Sequence, residues 1–276
     1  QFDIMRKALW LAYTDPDRVF DEKFWKKTLS KKHFDEMLTS MNISALKLDM
    51  KEGDVLDCTN NPQIMRFDVY RSCLELEHLL DQHTGWRKKF LRTDPESTTT
   101  SIVFGAYTKQ GSGVTQSTEM PKHQTLLRRL HELAQLRPKG APTSIQVTCS
   151  QMISLHQDKF NTGENWTISM GPYRDYREGH LWIEAENGTE YCPNECIPNH
   201  EARLDVAGLG GIRMSSKYRW INFDAKRWHA VSSSKYPRIT VIYFTPTRLD
   251  ALTHADWRKL EDYGFPVADI LSLIHI

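Results

Sequence analysis

Trp166-Thr167-Ile168-Ser169-Met170 alternates large apolar side chains with hydroxyl-bearing ones. Successive side chains of a strand point to opposite faces, so Trp166, Ile168 and Met170 share one face and Thr167 and Ser169 the other. The same texture repeats outward in both directions. Ser144 to Cys149, Gln151 to His156, His180 to Ala185, Arg219 to Phe223, Trp228 to Ser232 and Arg238 to Phe244 are short, β-prone and separated by turn residues. Ser101 to Tyr107 reads as a further strand. Seven or eight such strands around a central site describe a double-stranded β-helix, or jelly roll. Gly188 to Ser216 reads as a long insertion between strands, and loops of that length are usually functional or disordered. Within it, Gly208-Leu209-Gly210-Gly211 lacks the strand-to-helix setting of a dinucleotide-binding turn and reads as a flexible loop able to act as a lid.

The first ninety or so residues have a helical texture instead. Asp15-Pro16 is a cap followed by a proline at the first helical position. A second helix is predicted from Pro62 to about His83, stopped by Gly85, with Ile64, Phe67, Leu74 and Leu80 among its apolar positions. The threonine-, aspartate- and proline-rich run from Thr93 to Thr100 marks the change of texture. One helix lies beyond it, from about Pro121 to Leu136, with Leu126, Leu127, Leu130, Leu133 and Ala134 at helical spacing. Its other face, with Lys122, Arg128, Arg129 and Arg137, reads as solvated. The fold class expected is α+β: N-terminal helices (1–95) packed as support on a double-stranded β-helix core (96–270), with the insertion at about 188–216. The last six residues, 271–276, resemble the translation of a sequencing adaptor and are set aside as a scar.

Composition narrows the function classes. The 276 residues, 39% hydrophobic and 26% charged, are enough for one large globular domain. A formal net charge of +1 gives no long-range field that would by itself gather nucleic acid or anionic membrane, and with local basic stretches still open it neither implies nor excludes nucleic acid. No stretch approaches the roughly 18 to 20 apolar residues of a membrane span. Five widely spaced cysteines, an odd number, favour reduced thiols and an intracellular setting. The chain starts at Gln1 without an initiator methionine, so a targeting segment upstream would lie outside it.

Chemistry concentrates in three places. His156-Gln157-Asp158 follows the β-prone Met152-Ile153-Ser154-Leu155, where residues i and i+2 of a strand end reach the same side. His229 arrives from a later strand, in Phe223-Asp224-Ala225-Lys226-Arg227-Trp228-His229-Ala230. Two imidazoles and one carboxylate are the ligand set of a non-haem Fe(II) centre, held on one face so that three cis positions stay open. Nine positions after His229, Arg238 opens Arg238-Ile239-Thr240-Val241-Ile242-Tyr243-Phe244, where a guanidinium fork and the Thr240 hydroxyl share one strand face and can grip a carboxylate.

These residues resemble the H-x-D…H…R-x-S/T pattern of the 2-oxoglutarate and Fe(II)-dependent dioxygenases. Trp166 to Gly171, followed by Gly179-His180-Leu181-Trp182-Ile183-Glu184, is similar to segments of microalgal and fungal members, some of them related to the TET/JBP base-hydroxylating branch. The resemblance covers roughly Ser101 to Thr245, with an interval from His229 to Arg238 slightly shorter than in many members. It implies that His156, Asp158 and His229 bind Fe(II), that 2-oxoglutarate chelates the metal while Arg238 and Thr240 hold its distal carboxylate, and that Thr167 or Ser169 adds a hydrogen bond. It further implies oxidative decarboxylation of 2-oxoglutarate by dioxygen, coupled to hydroxylation or demethylation of a second substrate. A nucleobase in DNA or RNA leads a field that includes protein side chains and small metabolites. Two other readings stand beside it: a catalytically silent jelly-roll binding module, and a cupin-type metalloenzyme with no use for Arg238.

Cys192, Cys196 and His200 could contribute to a zinc site or a disulfide, although the spacing is not that of a standard finger and unlinked loop residues are the simpler expectation. Asn42, Asn165 and Asn187 satisfy the glycosylation tripeptide without a visible secretory signal. Trp182 and Trp228 suit a strand core better than a substrate pocket.

Overall fold

The computed structural model describes residues 67–81, 87–90, 98–109, 113–137, 142–171, 173, 178–197 and 209–267. The chain divides into two compact units, 1–67 and 68–276. The helix expected at Asp15-Pro16, the packing of the N-terminal helices and the tail at 271–276 lie outside the described residues.

Two antiparallel sheets dominate. The larger runs β1 (Arg87–Phe90), β2 (Thr98–Lys109), β4 (Ser144–Ser150), β11 (Arg238–Pro246), β6 (Asn161–Met170) and β9 (Ile221–Asp224), with β3 (Gly113–Gln116) also on β2. The smaller has the order β5 (Ile153–His156), β10 (His229–Val231), β7 (Leu181–Glu184) and β8 (Gly211–Met214). From β4 onward the chain visits large, small, large, small, small, large, small, large. That alternation is the eight-stranded jelly roll expected from the strand pattern.

The faces of the large sheet explain why its two sides differ. Register aligns Ile102, Val147, Val241 and Ile168 across β2, β4, β11 and β6, and all four are buried. Each such aliphatic side chain contributes about 1.5–3 kcal/mol by leaving water. Helix α2 (Gln124–Gln135) lies on this side, burying Leu126, Leu127, Leu130 and Leu133, and its Leu130 carbonyl accepts from Tyr243 Oη at 2.6 Å. The next row points the other way and is made of hydroxyls: Ser101, Thr148, Thr240 and Ser169, again all buried. This polar face looks toward the small sheet. Ile221 and Phe223 of β9, paired with Thr167 and Asn165 and so on their side, pack against Leu181, Ile183 and Val231.

Several expectations are revised. Helix α1 covers Phe67–Asp81 within the predicted span, the ends of which lie outside the described residues, and it buries Val69, Cys73, Leu76 and Leu80, leaving Leu74 half-buried. Helix α2 starts at Gln124, because Met120–Lys122 forms a separate 3-10 turn around Pro121. Its basic side is partly neutralised: Arg129 pairs with Glu132 at 2.6 Å and Glu75 at 3.4 Å, and Arg137 lies 5.4 Å from the Tyr243 ring centre. Strand β1 follows the predicted helices at 87–90, and α3 (His254–Asp262) was not anticipated. The Thr253-x-x-Asp256 capping box, both halves of which form, was its legible signal.

The glycine-rich loop is also not a lid at its described end. Gly211 begins β8, and a Cβ there would lie 2.4 Å from the Trp182 ring and 2.6 Å from the Ile183 carbonyl oxygen. Glycine here permits close strand approach. Trp182 is fully buried with Leu155, Cys196 and Ala230, with Trp228 packed alongside, so both tryptophans are core as expected. Cys73, Cys149, Cys192 and Cys196 are free thiols, which removes the disulfide among the described residues; Cys196 donates to the Val231 carbonyl at 3.3 Å, and His200 lies outside the described residues. No helix among the described residues is long and apolar enough to cross a membrane.

Candidate metal centre

The small sheet brings the two histidines together. His156 ends β5, His229 begins β10, and the two are directly paired. Paired residues of neighbouring antiparallel strands project from one face. Their rings lie 4.2 Å apart at 55°. Asp158 falls beyond the end of β5, so strand geometry alone does not deliver it. A turn does: Asp158 N–H donates to the Ala225 carbonyl at 2.9 Å, and Gln157 Nε2 donates to the Lys226 carbonyl at 2.7 Å. The turn before His229 therefore carries the aspartate back to the imidazoles.

The result is a compact triad. His156 Nε2 lies 3.7 Å from Asp158 Oδ1, and His229 Nε2 lies 3.8 Å from Asp158 Oδ2. All three ligand atoms sit within 4.8 Å of one another, and this is the single such cluster among the described residues. The gaps are too long for hydrogen bonds. Each imidazole spends its other nitrogen on the backbone of its own chain segment: His156 Nδ1 lies 2.7 Å from the Ser154 carbonyl oxygen and His229 Nδ1 lies 2.8 Å from that of Arg227. A carbonyl accepts only, so Nδ1 carries a proton, and in the neutral ring Nε2 then presents its lone pair, the tautomer a metal requires. Burial pushes the His229 pKa down to about 4, helped by His156 and opposed by Asp158, so this imidazole is neutral at neutral pH.

The large sheet supplies the surroundings. Asn165, fully buried on β6, donates to Asp158 Oδ2 at 2.7 Å, and Asn161 donates to the same oxygen at 3.3 Å. Phe223, the β9 partner of Asn165, packs its ring 4.7 Å from His229. Asn161 and Phe223 were not singled out from the sequence as part of a site, and Asn165 only as a glycosylation tripeptide. The available signal was periodicity, since Asn165 extends the polar face of Thr167 and Ser169 by one more step. Its burial and its bond to Asp158 also leave no room for a glycan.

Arg238, Thr240 and Thr167 occupy that same polar face. Arg238 is only 1% exposed, and its Nη2 donates to Ser216 Oγ at 3.0 Å. Ser216 continues to Ser169 Oγ at 2.7 Å, and Ser169 to Tyr173 Oη at 2.7 Å. Tyr173 and Arg238 both flank Gly179, where a Cβ would meet the Tyr173 ring at 2.8 Å and Arg238 Cδ at 3.5 Å. Burial pulls the guanidinium pKa below its ordinary value, opposed by Tyr173 through charge and a side-chain hydrogen bond. Arg238 Nε and Nη1, and Thr240 Oγ1, have no hydrogen-bond partner. Buried donors left in this way cost about 1–3 kcal/mol each and point to a missing acceptor. A carboxylate meets that demand, because it accepts at both oxygens and matches the planar fork.

The sequence matches no protein-family model and no curated protein. Among solved structures it is similar to a 2OG-Fe(II) oxygenase family oxidoreductase from Burkholderia pseudomallei at 10% identity, covering 63% of this chain and 80% of that one, with a TM-score of 0.36. A prolyl-4-hydroxylase from Pseudomonas putida overlaps at 8% identity over 64% and 84% of the two chains, with a TM-score of 0.37. A prolyl hydroxylase from Trichoplax adhaerens, solved with a hypoxia inducible factor peptide fragment, overlaps at 10% identity over 67% and 82%, with a TM-score of 0.39. Overlaps this loose assign no activity; the strand order and the site residues stand on their own.

Proposed function

We propose that this chain is a 2-oxoglutarate- and Fe(II)-dependent oxygenase. One observation carries the reading: a His-Asp-His cluster whose imidazoles both spend Nδ1 on backbone carbonyls, together with a buried Arg238 on the large sheet whose Nε and Nη1 are unpaired. In it, His156, Asp158 and His229 hold the iron, and Arg238 with Thr240 holds the distal carboxylate of 2-oxoglutarate, with Thr167 beside them. Bound together, the metal and 2-oxoglutarate supply dioxygen activation through oxidative decarboxylation.

The chain's own part is positioning. The Ser154 and Arg227 carbonyls hold both imidazoles through Nδ1, which leaves each Nε2 as the nitrogen turned to the metal. Ser216 holds one arm of Arg238 and leaves the other N–H groups aimed for a planar acid. Burial of this hydroxyl-lined face keeps bulk water from competing for the acid.

Anaerobic titration with Fe(II) and 2-oxoglutarate tests the assignment through the visible metal-to-ligand charge-transfer band. Absence of the band from the intact protein would sink it. A cupin-type enzyme independent of 2-oxoglutarate has no use for the unpaired Arg238 donors. A silent binding module would show no uncoupled conversion of 2-oxoglutarate to succinate.

For the oxidised substrate we propose a base in single-stranded nucleic acid. Phe160, two residues from Asp158, is 65% exposed, and Lys159, Lys226 and Arg227 on the adjoining turns are exposed as well. Exposed Glu164 and Asp224 balance much of this charge, so stacking on Phe160 is the discriminating feature. Phe160→Ala is expected to abolish any stimulation of 2-oxoglutarate turnover by oligonucleotides while leaving uncoupled turnover intact. Equal stimulation of variant and parent would count against a stacked base.

A further inference from the structure

Asp158 has two carboxylate oxygens, and they are not equivalent. Oδ2 receives Asn165 Nδ2 at 2.7 Å and Asn161 Nδ2 at 3.3 Å, while Oδ1, 3.7 Å from His156 Nε2, is given no amide donor. A carboxylate oxygen has two in-plane lone pairs, so two donors fill Oδ2 and leave both lone pairs of Oδ1. The donors are themselves held. Asn165 is fully buried, and its side-chain oxygen accepts from Asn161 Nδ2 at 3.3 Å, which fixes the amide with its NH2 toward Asp158. Asn161 is tied to the same turn by its backbone, its N–H donating to the Asp158 carbonyl at 2.9 Å.

We propose that Asn165, assisted by Asn161, is a positioning residue that makes Asp158 a one-oxygen metal ligand through Oδ1. The inference rests on the metal-site reading above. It matters because a carboxylate binding through both oxygens would occupy one of the three positions that a bidentate co-substrate and dioxygen need. The rung Asn165–Phe223 thereby serves two ligands: its amide holds Asp158 and its phenyl ring packs against His229. The large sheet thus fixes the orientation of two ligands that the small sheet and its turns supply.

The test uses Co(II) alone on the intact chain, read by calorimetry and visible absorption, with infrared difference spectra of protein carrying 13C-labelled aspartate. A one-oxygen carboxylate shows a wide separation between its antisymmetric and symmetric stretches, and a two-oxygen chelate a narrow one. The wild type is expected to bind Co(II) with the wide separation. Asn165→Ala should bind roughly 10- to 100-fold more weakly and narrow the separation. Since a truncated core residue can disturb folding, Asn161→Ala at the half-buried start of β6 is the second variant, expected to lose a few-fold. In an Asp158→Ala background, Asn165→Ala should cost no further affinity, because the residue acts only through Asp158. No Co(II) binding by the wild type would overturn the metal site and the inference together. A wild type that binds Co(II) through both Asp158 oxygens would overturn the inference alone. So would Asn165 and Asn161 variants that match the wild type, or an equal loss in the Asp158→Ala background.

Discussion

A buried guanidinium with two unpaired nitrogens is an expensive thing for a folded protein to keep, and Arg238 is such a group. Replacing it with an apolar side chain of similar length should therefore separate stability from binding. Arg238→Met is expected to leave the ligand-free protein as stable or more stable, by about 1–4 kcal/mol. The same variant should lose about 2–5 kcal/mol of 2-oxoglutarate binding, roughly 30-fold or more. Urea denaturation without ligand and calorimetric titration with 2-oxoglutarate read the two effects. Destabilisation of the free protein with unchanged 2-oxoglutarate affinity would mean that Arg238 is structural. At this scale the sequence was a good guide to residue types. His156, Asp158, His229, Arg238 and Thr240 were visible because their chemistry is unusual for strand ends and their spacing constrains the faces they occupy. Asn165, Phe223, Tyr173 and Ser216 were not, because asparagine, serine and aromatic residues are ordinary in strands and loops until something shows what they touch.

Elements were legible where period and punctuation agreed. The alternation of β6 and the leucine spacing of α2 announced themselves, whereas β8 was hidden by its glycines, whose close packing against Trp182 is a property of two strands together. Helix α3 depends on its cap: Thr253 Oγ1 accepts from Asp256 N–H at 3.2 Å, and Thr253 N–H donates to Asp256 Oδ2 at 2.9 Å. Thr253→Ala should cost about 1 kcal/mol in urea denaturation at neutral pH. The hydrogen bond from the Thr253 side chain lowers the Asp256 pKa. A carboxyl depressed in the folded state contributes stability that is present above its unfolded value of ~4 and lost as pH falls through the folded one. The gap between wild type and variant should accordingly shrink as pH falls below that unfolded value. In the turn at Cys192 to Ile197, burial pushes the Cys192 thiol up to about 12 and raises Cys196 as well. Zinc and alkylating agents both require the thiolate. The folded protein at about pH 8 should leave these two cysteines unmodified by iodoacetamide over minutes, with rapid labelling in urea, as followed by peptide mass analysis. Rapid labelling of the folded state would restore a reactive role for this turn.

Across the whole molecule, the proposed ligands bridge the two sheets of the jelly roll: the metal sits on residues of the small sheet and its turns, the co-substrate on a strand of the large one. Whatever binds both should stabilise the fold as a unit. At about 100-fold excess over the dissociation constant the gain is about 2.7 kcal/mol, a rise in Tm of roughly 5–10 °C for a unit of this size. Mn(II) with 2-oxoglutarate is expected to produce such a rise by scanning calorimetry, with reversal by EDTA. No shift would mean that the two groups do not share a site. The sequence by itself determined the strand-rich half, the candidate ligand types, and that Thr167 and Ser169 share one strand face and Arg238 and Thr240 another, because side-chain direction along a strand follows from local backbone geometry with a period of two. Pairing of β6 with β11 joins the two into one face. Only the tertiary structure decided which strands face one another, that a turn rather than a strand delivers Asp158, that Asn165 grips one of its oxygens, and that Arg238 keeps two donors unpaired. Those are distances between residues far apart in the chain, and they are set by how two sheets pack.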